Sequence, residues 1–420
     1  MNRASRPLPL ALYGAGASLL EPLAPVLLRR RVRMGKEDPA RLSERLGRPG
    51  AERPPGPLVW LHGVSVGESL SLLPLIAALR ARRPGVNLLV TTGTVTSAQV
   101  LAPRLPQGVI HQFAPVDAPG AARRFLDHWG PDAALFVESE LWPNLLGEAA
   151  RRGVRLALIS ARITEASARG WARAPASARV LLSAFDLVLA QDEASAARLE
   201  GLGASVAGRL NLKLLSEPPP ADPGVLARVR SEIGGRAMVL AASTHEGEEL
   251  LIAKAFLAAV ESPEAALLVI APRHPDRSGK LRSELAATSR AANEPATGPV
   301  HLADTLGELG VFYRLADVVV MGGSFVGGIG GHNPLEAARL GRPVVTGPHV
   351  ENARSLYDAM FAEAAAIEAR DAAGLARHIR GLLQNPVIAR RVGHAAQVFA
   401  ERQAGTLDAA MALIEPLLPA

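Results

Sequence analysis

The sequence predicts an α/β protein with two domains, each built on a parallel sheet that helices cover. Short apolar runs alternate with segments of helical period from Leu58 onward, the alternation stops at a proline-rich stretch over 217–224, and it then begins again. This alternation is typical of parallel sheets with helices on both faces. The 420 residues, of which 48% are hydrophobic and 20% charged, suffice for two ordinary domains and exclude general disorder.

The N-terminal segment, residues 1–53, differs from the rest in charge and in hydropathy. It holds 11 Lys/Arg and 5 Asp/Glu, so the whole net charge of +6 lies there, with the arginines densest over 29–33. An apolar stretch from Pro7 to Leu28 precedes them, but its uninterrupted part, 10–20, is too short to cross roughly 30 Å of hydrocarbon as a helix. We predict an interfacial anchor on anionic headgroups at the cytoplasmic face. A buried helix and a cleaved signal peptide are the alternatives.

The first α/β domain is predicted over residues 54–216. Apolar, β-branched runs predict strands at 58–62, 86–92, 109–113, 133–137, 154–160 and 187–190, and helical periodicity predicts helices that include 69–82 and 142–151. The absence of cysteine excludes disulfides and thiolate metal sites.

The stretch 217–224 has four prolines and cannot continue a helix or a central strand, so it predicts a linker. The second domain follows over 225–386, with strands predicted at 238–242, 266–271, 318–321 and 343–346 and helices at 246–260, 305–316 and 333–340. A long helical segment in 387–420 is expected to cross back over the first domain. Two such domains joined by a hinge predict an active site in the cleft between them.

The first strong strand ends in a glycine-rich turn, 63–67, and the following helix begins near Glu68. Enzymes of the α/β class present reactive groups at this position. One interpretation is a serine hydrolase, because 63–67 spells G-x-S-x-G with Ser65 as the nucleophile. The other is that Glu68 reacts and the glycines let a substrate approach. The segment before the strand carries no oxyanion motif, which favours Glu68.

Two further acidic residues and a lysine accompany Glu68 in the first domain. Glu138 follows an apolar strand and is therefore expected at the same sheet edge, whereas Glu140 is interpreted as a capping carboxylate before a helix. Lys213 shortly precedes the linker. A carboxylate base, a second acid and a lysine suit glycosyl transfer, since the base deprotonates a sugar hydroxyl and cations stabilise the departing phosphate.

Polar loops follow the strands of the second domain at 243–246, 272–275, 322–325 and 330–336. Glycine loops and helix N-termini bind phosphate through backbone N–H groups, and Arg273 adds a fixed positive charge. Asn333 and Pro334 are typical of a helix start, and Glu336 can reach toward a ribose. The four loops together predict a nucleotide site. The sequence contains no P-loop motif, no G-x-G-x-x-G after the first strand of either domain, no paired-histidine helix and no D-x-D element, so we predict catalysis without a metal.

With these motifs in place, the chain resembles the 3-deoxy-D-manno-octulosonic acid (Kdo) transferases of lipopolysaccharide biosynthesis over nearly its whole length. The resemblance rests on HGVSVGE at 62–68, TTGT at 91–94, ESELWPN at 138–144, SAR at 160–162, GRLNLK at 208–213, PRH at 272–274, LGE at 306–308, GGSFV at 322–326, GGHNPLE at 330–336 and GPH at 347–349. It implies a GT-B glycosyltransferase with two Rossmann-like domains whose parallel sheets face an interdomain cleft.

The resemblance also implies roles for individual residues. Glu68 matches the general base, and Glu138 and Lys213 match groups that stabilise the transition state. The residues that match the site for the CMP part of the donor CMP-Kdo are Arg273, His274, Leu306, Gly307, Glu308, Gly323, Ser324, Asn333, Pro334, Leu335 and Glu336.

The implied reaction is an inverting transfer of Kdo to lipid IVA, a lipid A precursor, without a cofactor or a metal. Its partners are the donor, the lipid acceptor and an anionic membrane surface, with no nucleic acid. Its location is the cytoplasmic face of the cell inner membrane, held by an N-terminal monotopic anchor. The alternatives are another GT-B nucleotide-sugar transferase or an epimerase, the serine hydrolase, and a lipid-surface binding module without activity.

Overall fold

The computed structural model describes residues 6–215, 218–262 and 264–419, with the backbone alone for Ala404. The chain divides into two compact units. The first lies within Met1–Ser216 and Gly405–Ala420, and the second within Glu217–Ala404. Each unit has its own parallel sheet, which confirms the prediction of two parallel-sheet α/β domains.

The sheet of the first unit has seven parallel strands in the order β3-β2-β1-β4-β5-β6-β7. The strands are β1 (Leu58–His62), β2 (Asn87–Thr92), β3 (Ile110–Phe113), β4 (Ala133–Val137), β5 (Arg155–Ala161), β6 (Leu187–Ala190) and β7 (Gly208–Arg209). Successive β1 side chains point to opposite faces, so Trp60 joins one buried core and Leu61 the other. Burial on both faces explains why these strands are continuous apolar runs.

Ten helices of the first unit surround this sheet in the described residues. They are α1 (Leu8–Leu20), α2 (Ala24–Arg33), α3 (Leu42–Arg45), α4 (Val66–Arg82), α5 (Val95–Leu101), α6 (Pro119–Trp129), α7 (Pro143–Arg151), α8 (Glu165–Ala172), α9 (Pro175–Leu182) and α10 (Glu193–Gly201). The C-terminal residues of the chain also belong to this unit, and Met411, Ile414 and Leu417 are buried in its core.

The sheet of the second unit repeats the arrangement in the order β10-β11-β9-β8-β12-β13-β14. Its strands are β8 (Ala237–Thr244), β9 (Ala266–Pro272), β10 (Thr288–Ser289), β11 (Val300–Leu302), β12 (Val318–Met321), β13 (Val344–Thr346) and β14 (Ile367–Glu368). The helices are α11 (Pro223–Ile233), α12 (Glu248–Ala259), α13 (Ser278–Leu285), α14 (Leu309–Leu315), α15 (Leu335–Ala338), α16 (Arg354–Ala362), α17 (Ala372–Gln384) and α18 (Pro386–Ile414), whose residues from Gly405 onward belong to the first unit.

The proline-rich stretch is more ordered than a free linker in its described part. The carbonyl oxygen of Pro219 accepts a hydrogen bond of 2.7 Å from Arg314, and α11 already begins at Pro223. The Asp222 side chain caps α11 by accepting from Val225 N at 2.8 Å. Proline at the first helical position is favoured because its missing N–H has no intrahelical partner there.

The N-terminal helices form one helical stretch, Leu8–Arg33, which is long and apolar enough to cross a membrane by length and composition. The expectation that prolines limit the helix to 10–20 was therefore wrong. Pro22 and Pro25 each lie in the first turn of a helical segment, where proline removes no hydrogen bond.

One side of this stretch is attached to the first unit. Tyr13 donates to Asp117 at 2.9 Å, and Glu21 pairs with Arg124 at 2.9 Å and accepts from Gly120 N at 2.8 Å. The other side carries exposed apolar side chains, namely Leu8, Leu12, Leu19, Leu20, Leu23, Val26 and Leu27. A continuous apolar surface of this kind marks an interaction site on a soluble domain.

Both sheets reverse their strand order at an internal point, between β1 and β4 in the first unit and between β8 and β12 in the second. Ligands of open α/β sheets bind outside the carboxyl ends of the strands at this point. The loop after β1 leads to Glu68 and the loop after β4 begins with Glu138. The fold thus brings two predicted site residues to the switch point of the first sheet.

Candidate functional site

Glu68 lies in the first turn of α4, and its carboxylate reaches back over the turn that precedes the helix. One oxygen accepts from Val64 N at 2.8 Å, and the other accepts from the Ser65 hydroxyl at 2.7 Å. Ser65 in turn accepts from Glu68 N at 3.3 Å. This reciprocal arrangement is a variant of the capping box in which the glutamate accepts from the residue before the N-cap and from the N-cap hydroxyl. It orients the carboxylate and leaves lone pairs for a further donor.

The serine hydrolase interpretation does not fit this geometry. Ser65 has ordinary extended dihedral angles (φ −85°, ψ 167°), whereas a nucleophile elbow holds its serine in a strained turn. The Ser65 hydroxyl donates to Glu68 and acts as a helix cap.

Glu138 and Lys213 form an ion pair at the same edge of the sheet. Glu138 follows β4 with φ +62°, a conformation that disfavours residues with side chains and occurs mainly where surrounding structure enforces it. Its side chain is 11% exposed and that of Lys213 is 40% exposed. A Cβ added to Gly67 would lie 3.9 Å from Lys213 Cε, so the lysine stem lies beside the turn that carries Glu68. The structure therefore brings all three predicted groups of the first domain together.

Glu140 is not the cap of α7, contrary to the sequence interpretation. The cap is Asp117, whose carboxylate accepts from Asn144 N at 3.2 Å and from Leu145 N at 2.8 Å. Glu140 instead accepts from the indole N–H of Trp142. A sequence pattern could not identify Asp117, because it lies 27 residues before Asn144 in the chain.

In the second unit, Glu248 holds the glycine-rich loop that follows β12. Its fully buried carboxylate accepts from Gly323 N at 2.6 Å, Ser324 N at 2.8 Å and Phe325 N at 2.8 Å. It also accepts from His245 N at 2.9 Å. The Glu248 carboxylate thus accepts from converging backbone N–H groups of the kind that bind phosphate in other proteins.

The amides of Gly323 and Ser324 therefore already have a partner in Glu248, and the place of these two residues in a nucleotide site stays a prediction. The Ser324 hydroxyl donates to Met321 O at 2.6 Å and accepts from Gly347 N at 2.7 Å. These two residues shape the loop. The role of Glu248 was not predicted. The sequence does contain a signal for part of it, because a glutamate three residues after a loop residue such as His245 can accept a hydrogen bond from the backbone N–H of that residue.

Three histidines gather at the carboxyl edge of the second sheet. The His245 and His332 rings stack with centroids 5.1 Å apart, and their Nε2 atoms are 2.9 Å apart. His274 meets His245 edge-on at 5.9 Å. Burial, with smaller contributions from neighbouring His245 and Arg273, lowers the pKa of His332 to about 4. The pair is therefore neutral near pH 7, and one ring donates to the other.

Arg273 and His274 follow β9 at this edge and are exposed. The Arg273 guanidinium opposes the effect of burial on the pKa of Glu336, so the two side chains lie close enough to interact. Asn333 accepts from Leu335 N at 3.0 Å at the start of α15, which begins at Leu335 and not at Asn333 as predicted. Pro334 precedes this short helix.

The predicted residues 306–308 lie in the loop after β11, beside β9. Both carboxylate oxygens of Glu308 pair with Arg290, at 3.0 and 3.1 Å, so its carboxylate fixes the loop. Leu306 is 87% exposed, and Gly307 has φ +87°. These two residues are therefore the part of the loop that a ligand can reach.

Within the described residues, no group of three or more His, Cys, Asp or Glu side chains is arranged to hold a metal ion. Lys213 and Arg273 place positive charge at the carboxyl edges of the first and second sheets. Both suit an anionic ligand, and guanidinium offers paired donors to a phosphate.

Comparison with known proteins identifies the family. Residues 40–215 match the family described as 3-deoxy-D-manno-octulosonic-acid transferase (kdotransferase). A probable mitochondrial 3-deoxy-D-manno-octulosonic acid transferase of Arabidopsis thaliana is 35% identical over 83% of this chain and 82% of its own length. The 3-deoxy-D-manno-octulosonic acid transferase of Bordetella pertussis is 36% identical over 87% and 90%. A glycosyltransferase structure from Rickettsia africae covers 87% of the chain and 99% of its own with a TM-score of 0.60 at 10% identity, and the predicted GT-B class is confirmed.

We expect Glu248→Gln to destabilise the second unit. Glutamine offers one acceptor oxygen and places an N–H₂ group against amide donors, so at least two buried N–H groups lose their partner at about 1–3 kcal/mol each. The urea midpoint of unfolding should fall accordingly. Glu246→Gln is the matched control, since Glu246 is 72% exposed and its ion pair with Lys280 is screened by solvent. Equal effects of the two substitutions would contradict the proposed role of Glu248.

Glu336 should make stability depend on pH. Burial raises its pKa from 4.5 to about 7. Because the pKa of Glu336 is higher in the folded protein than in the unfolded chain, the protonated form favours folding. This contribution to the free energy of unfolding is fully present below pH 4.5 and is lost as the pH rises through 7. Glu336→Gln stays neutral, so its stability relative to the parent should increase between about pH 5 and about pH 8, by up to about 3 kcal/mol. Urea midpoints at the two pH values measure this. Asp358→Asn, at a 58% exposed side chain that faces Arg354, should show no such trend, and a pH-independent effect of Glu336→Gln would refute the assignment.

Proposed function

The chain belongs to the 3-deoxy-D-manno-octulosonic acid transferase family and is a glycosyltransferase, and we propose that it moves Kdo from CMP-Kdo to lipid IVA with inversion and without a metal. The observation that carries the proposal is the convergence of Glu68, Glu138 and Lys213 at the switch point of the first sheet. Glu68 there provides the base, and the ion pair between Glu138 and Lys213 provides the positive charge, so no further group is needed.

Glu68 is the general base in this proposal. Its carboxylate is held in one orientation by Val64 N and Ser65, and its remaining lone pairs can accept the proton of an acceptor hydroxyl. The acceptor oxygen then bonds to the anomeric carbon of Kdo while the bond from that carbon to the CMP phosphate oxygen breaks. The electron pair leaves with the phosphate and the proton stays on Glu68. A single displacement of this kind inverts the anomeric carbon.

Lys213 offers positive charge to the anionic groups of the reactants, and Glu138 keeps its ammonium in place. The left-handed backbone of Glu138 supports a functional role, because strained residues of this kind cluster at active sites. Preorganised charge is effective because it needs no rearrangement during the reaction.

The second unit binds the donor in this proposal. Arg273 would contact the phosphate of CMP, and Glu336, in its ionised form, would accept hydrogen bonds from the ribose hydroxyls. His274, Leu306, Gly307 and the segment 333–335 complete the proposed nucleotide site. Arg273 supplies the charge for which other nucleotide-sugar enzymes use a divalent cation.

The helical stretch Leu8–Arg33 would lie on the cytoplasmic face of the inner membrane. Its attachment through Tyr13 and Glu21 favours a helix that lies in the interface over one that crosses the bilayer, since crossing would break these contacts. The outward apolar side chains would enter the acyl region, and the exposed arginines of α2 would contact anionic headgroups. This location brings the enzyme to a phosphorylated lipid acceptor.

The proposal is tested by incubating the purified full chain with CMP-Kdo, generated in situ, and lipid IVA, with and without EDTA, and weighing the lipid by mass spectrometry. We expect a gain of one or more Kdo units in both conditions. Loss of transfer with EDTA, restored by a divalent cation, would contradict the metal-free mechanism. Absence of transfer with intact donor and folded protein would contradict the choice of donor or acceptor.

Glu68→Gln should reduce transfer by about 10²–10⁴-fold, because the amide cannot accept the proton. CMP affinity, measured by calorimetry, should stay within twofold, since the base acts on the acceptor. Glu165→Gln is the control, a 70% exposed carboxylate on α8 of the same unit, and should leave both quantities unchanged. Normal turnover of Glu68→Gln would remove Glu68 from its role.

The double substitution Leu19→Asp and Val26→Asp should weaken binding to vesicles of phosphatidylglycerol and phosphatidylethanolamine at least tenfold. The two side chains are 80% and 61% exposed, and each buried apolar side chain contributes about 1.5–3 kcal/mol to membrane binding. Co-sedimentation measures the effect. Leu257→Asp, at a 47% exposed position in the second unit, should not change binding. Unchanged sedimentation of the double variant would exclude this surface as the anchor.

A further inference from the structure

His62, at the end of β1, is a buried histidine that the mechanism above does not use. It is 1% exposed, and its ring lies against Phe136 at 5.3 Å and Trp60 at 6.0 Å between centroids. It precedes the turn that leads to Glu68, and its strand partner in β4, Phe136, precedes Glu138 by two residues. His62 therefore lies next to both loops that carry the proposed site residues Glu68 and Glu138.

The hydrogen bonds around His62 determine which ring nitrogen carries the proton. The Thr91 hydroxyl oxygen is 2.8 Å from both Trp60 Nε1 and His62 Nδ1. An indole N–H can only donate, so Thr91 accepts from Trp60. Thr91 is buried, and within the described residues its hydroxyl has no acceptor other than His62 Nδ1, so its own proton is directed to that nitrogen. Nδ1 is then the acceptor, and the proton of the neutral imidazole is on Nε2.

The Nε2–H group points to Glu140. Nε2 is buried and has no hydrogen-bond partner among the described residues, and Glu140 Oε2 lies 3.7 Å away. A buried N–H without a partner is unfavourable. In enzymes without substrate, hydrogen bonds of the active site are often long and shorten only in the complex. A movement of less than 1 Å makes this contact a hydrogen bond.

Glu140 is well placed to respond to an acceptor. It lies in the loop between β4 and α7, two residues after Glu138, and its side chain is 14% exposed. One oxygen accepts from Trp142 and faces His62, while a carboxylate has lone pairs for further donors.

Resting on the function proposed above, we propose that His62 is a positioning residue. When the acceptor binds, His62 Nε2–H donates to Glu140 and holds that carboxylate so that it accepts a hydrogen bond from an acceptor hydroxyl. Thr91 keeps the imidazole in the tautomer that this role requires, and the rings of Phe136 and Trp60 pack against it. Proton transfer remains with Glu68, and His62 acts only through Glu140.

Isosteric substitutions separate this role from simple packing. Gln places an amide N–H₂ group near the position of Nε2, whereas Asn places one near Nδ1. His62→Asn should therefore lower kcat/KM for lipid IVA about 10–100-fold, the range expected for misplacement of a positioned group, and His62→Gln should recover most of it. Glu140→Gln should resemble His62→Asn. The double variant His62→Asn/Glu140→Gln should lose little more than either single variant, because both remove one interaction.

The affinity for CMP, which the second unit binds in this proposal, should stay unchanged in all four variants. Melting temperatures should be compared as well, because a packing role predicts that loss of activity follows loss of stability. Equal losses for His62→Asn and His62→Gln, or additive losses in the double variant, would overturn the proposal.

Nitrogen-15 NMR of histidine-labelled protein tests the same idea without turnover. Free protein should show an unprotonated Nδ1 and a protonated Nε2 for His62, and addition of lipid IVA should move the Nε2 proton downfield in the parent but not in Glu140→Gln. The opposite tautomer, or no difference between the two proteins, would overturn the proposal. Failure of the parent to transfer Kdo, with the NMR shift present, would count against the proposed reaction and not against the positioning role.

Discussion

The parallel pairing of β1 with β2 and β4 is the constraint on which the candidate site of the first unit depends. In this register His62 is level with Thr91 on one side and with Phe136 on the other. The loops that follow β1 and β4 therefore leave the sheet together, and they carry Glu68 and Glu138 to the same edge. A register slip of one residue would turn every side chain of β1 to the opposite face, which would separate Trp60 and His62 from Thr91.

The two units share one local hydrogen-bonding arrangement, which has a different role in each. In each, a glutamate in the first turn after the first strand of the sheet reaches back to an amide of the preceding loop. Glu68 accepts from Val64 N and Ser65 and remains partly exposed. Glu248 accepts from His245 N and from three amides of a second loop, and it is fully buried. Exposure leaves Glu68 lone pairs for a substrate, whereas the saturated Glu248 can only organise structure.

Asp117 connects the proposed anchor to the loop of the first unit that carries Glu138 and Glu140. Its carboxylate accepts from Tyr13 on α1 at 2.9 Å and from the first amides of α7. Because α7 directly follows the loop with Glu138 and Glu140, one buried carboxylate links α1 to that loop. Burial raises the pKa of Asp117, while the amides of Leu145 and Asn144 and the Tyr13 hydroxyl act to lower it. An ionised Asp117 therefore depends on all of its donors.

The sequence alone determined the alternation of strands and helices, since apolar periodicity and turn residues are local. Strands 58–62, 133–137, 187–190 and 318–321 were predicted with their observed bounds. The short strands β7, β10, β11 and β14 were missed, because two or three residues carry no periodicity. The motifs also determined the family, and they indicated Glu68, Glu138 and Lys213 as candidate site residues, which stay a prediction.

Only the tertiary structure decided which polar groups already have partners, because these contacts join residues distant in the chain. Glu248 accepts from the amides of Gly323 and Ser324, which lie 75 and 76 residues later in the chain. Arg290 donates to the carboxylate of Glu308. Asp117 replaces Glu140 as the cap of α7, and Thr91 selects the tautomer of His62. A buried donor or acceptor must find a partner wherever the fold provides one, and a linear pattern does not record where that is.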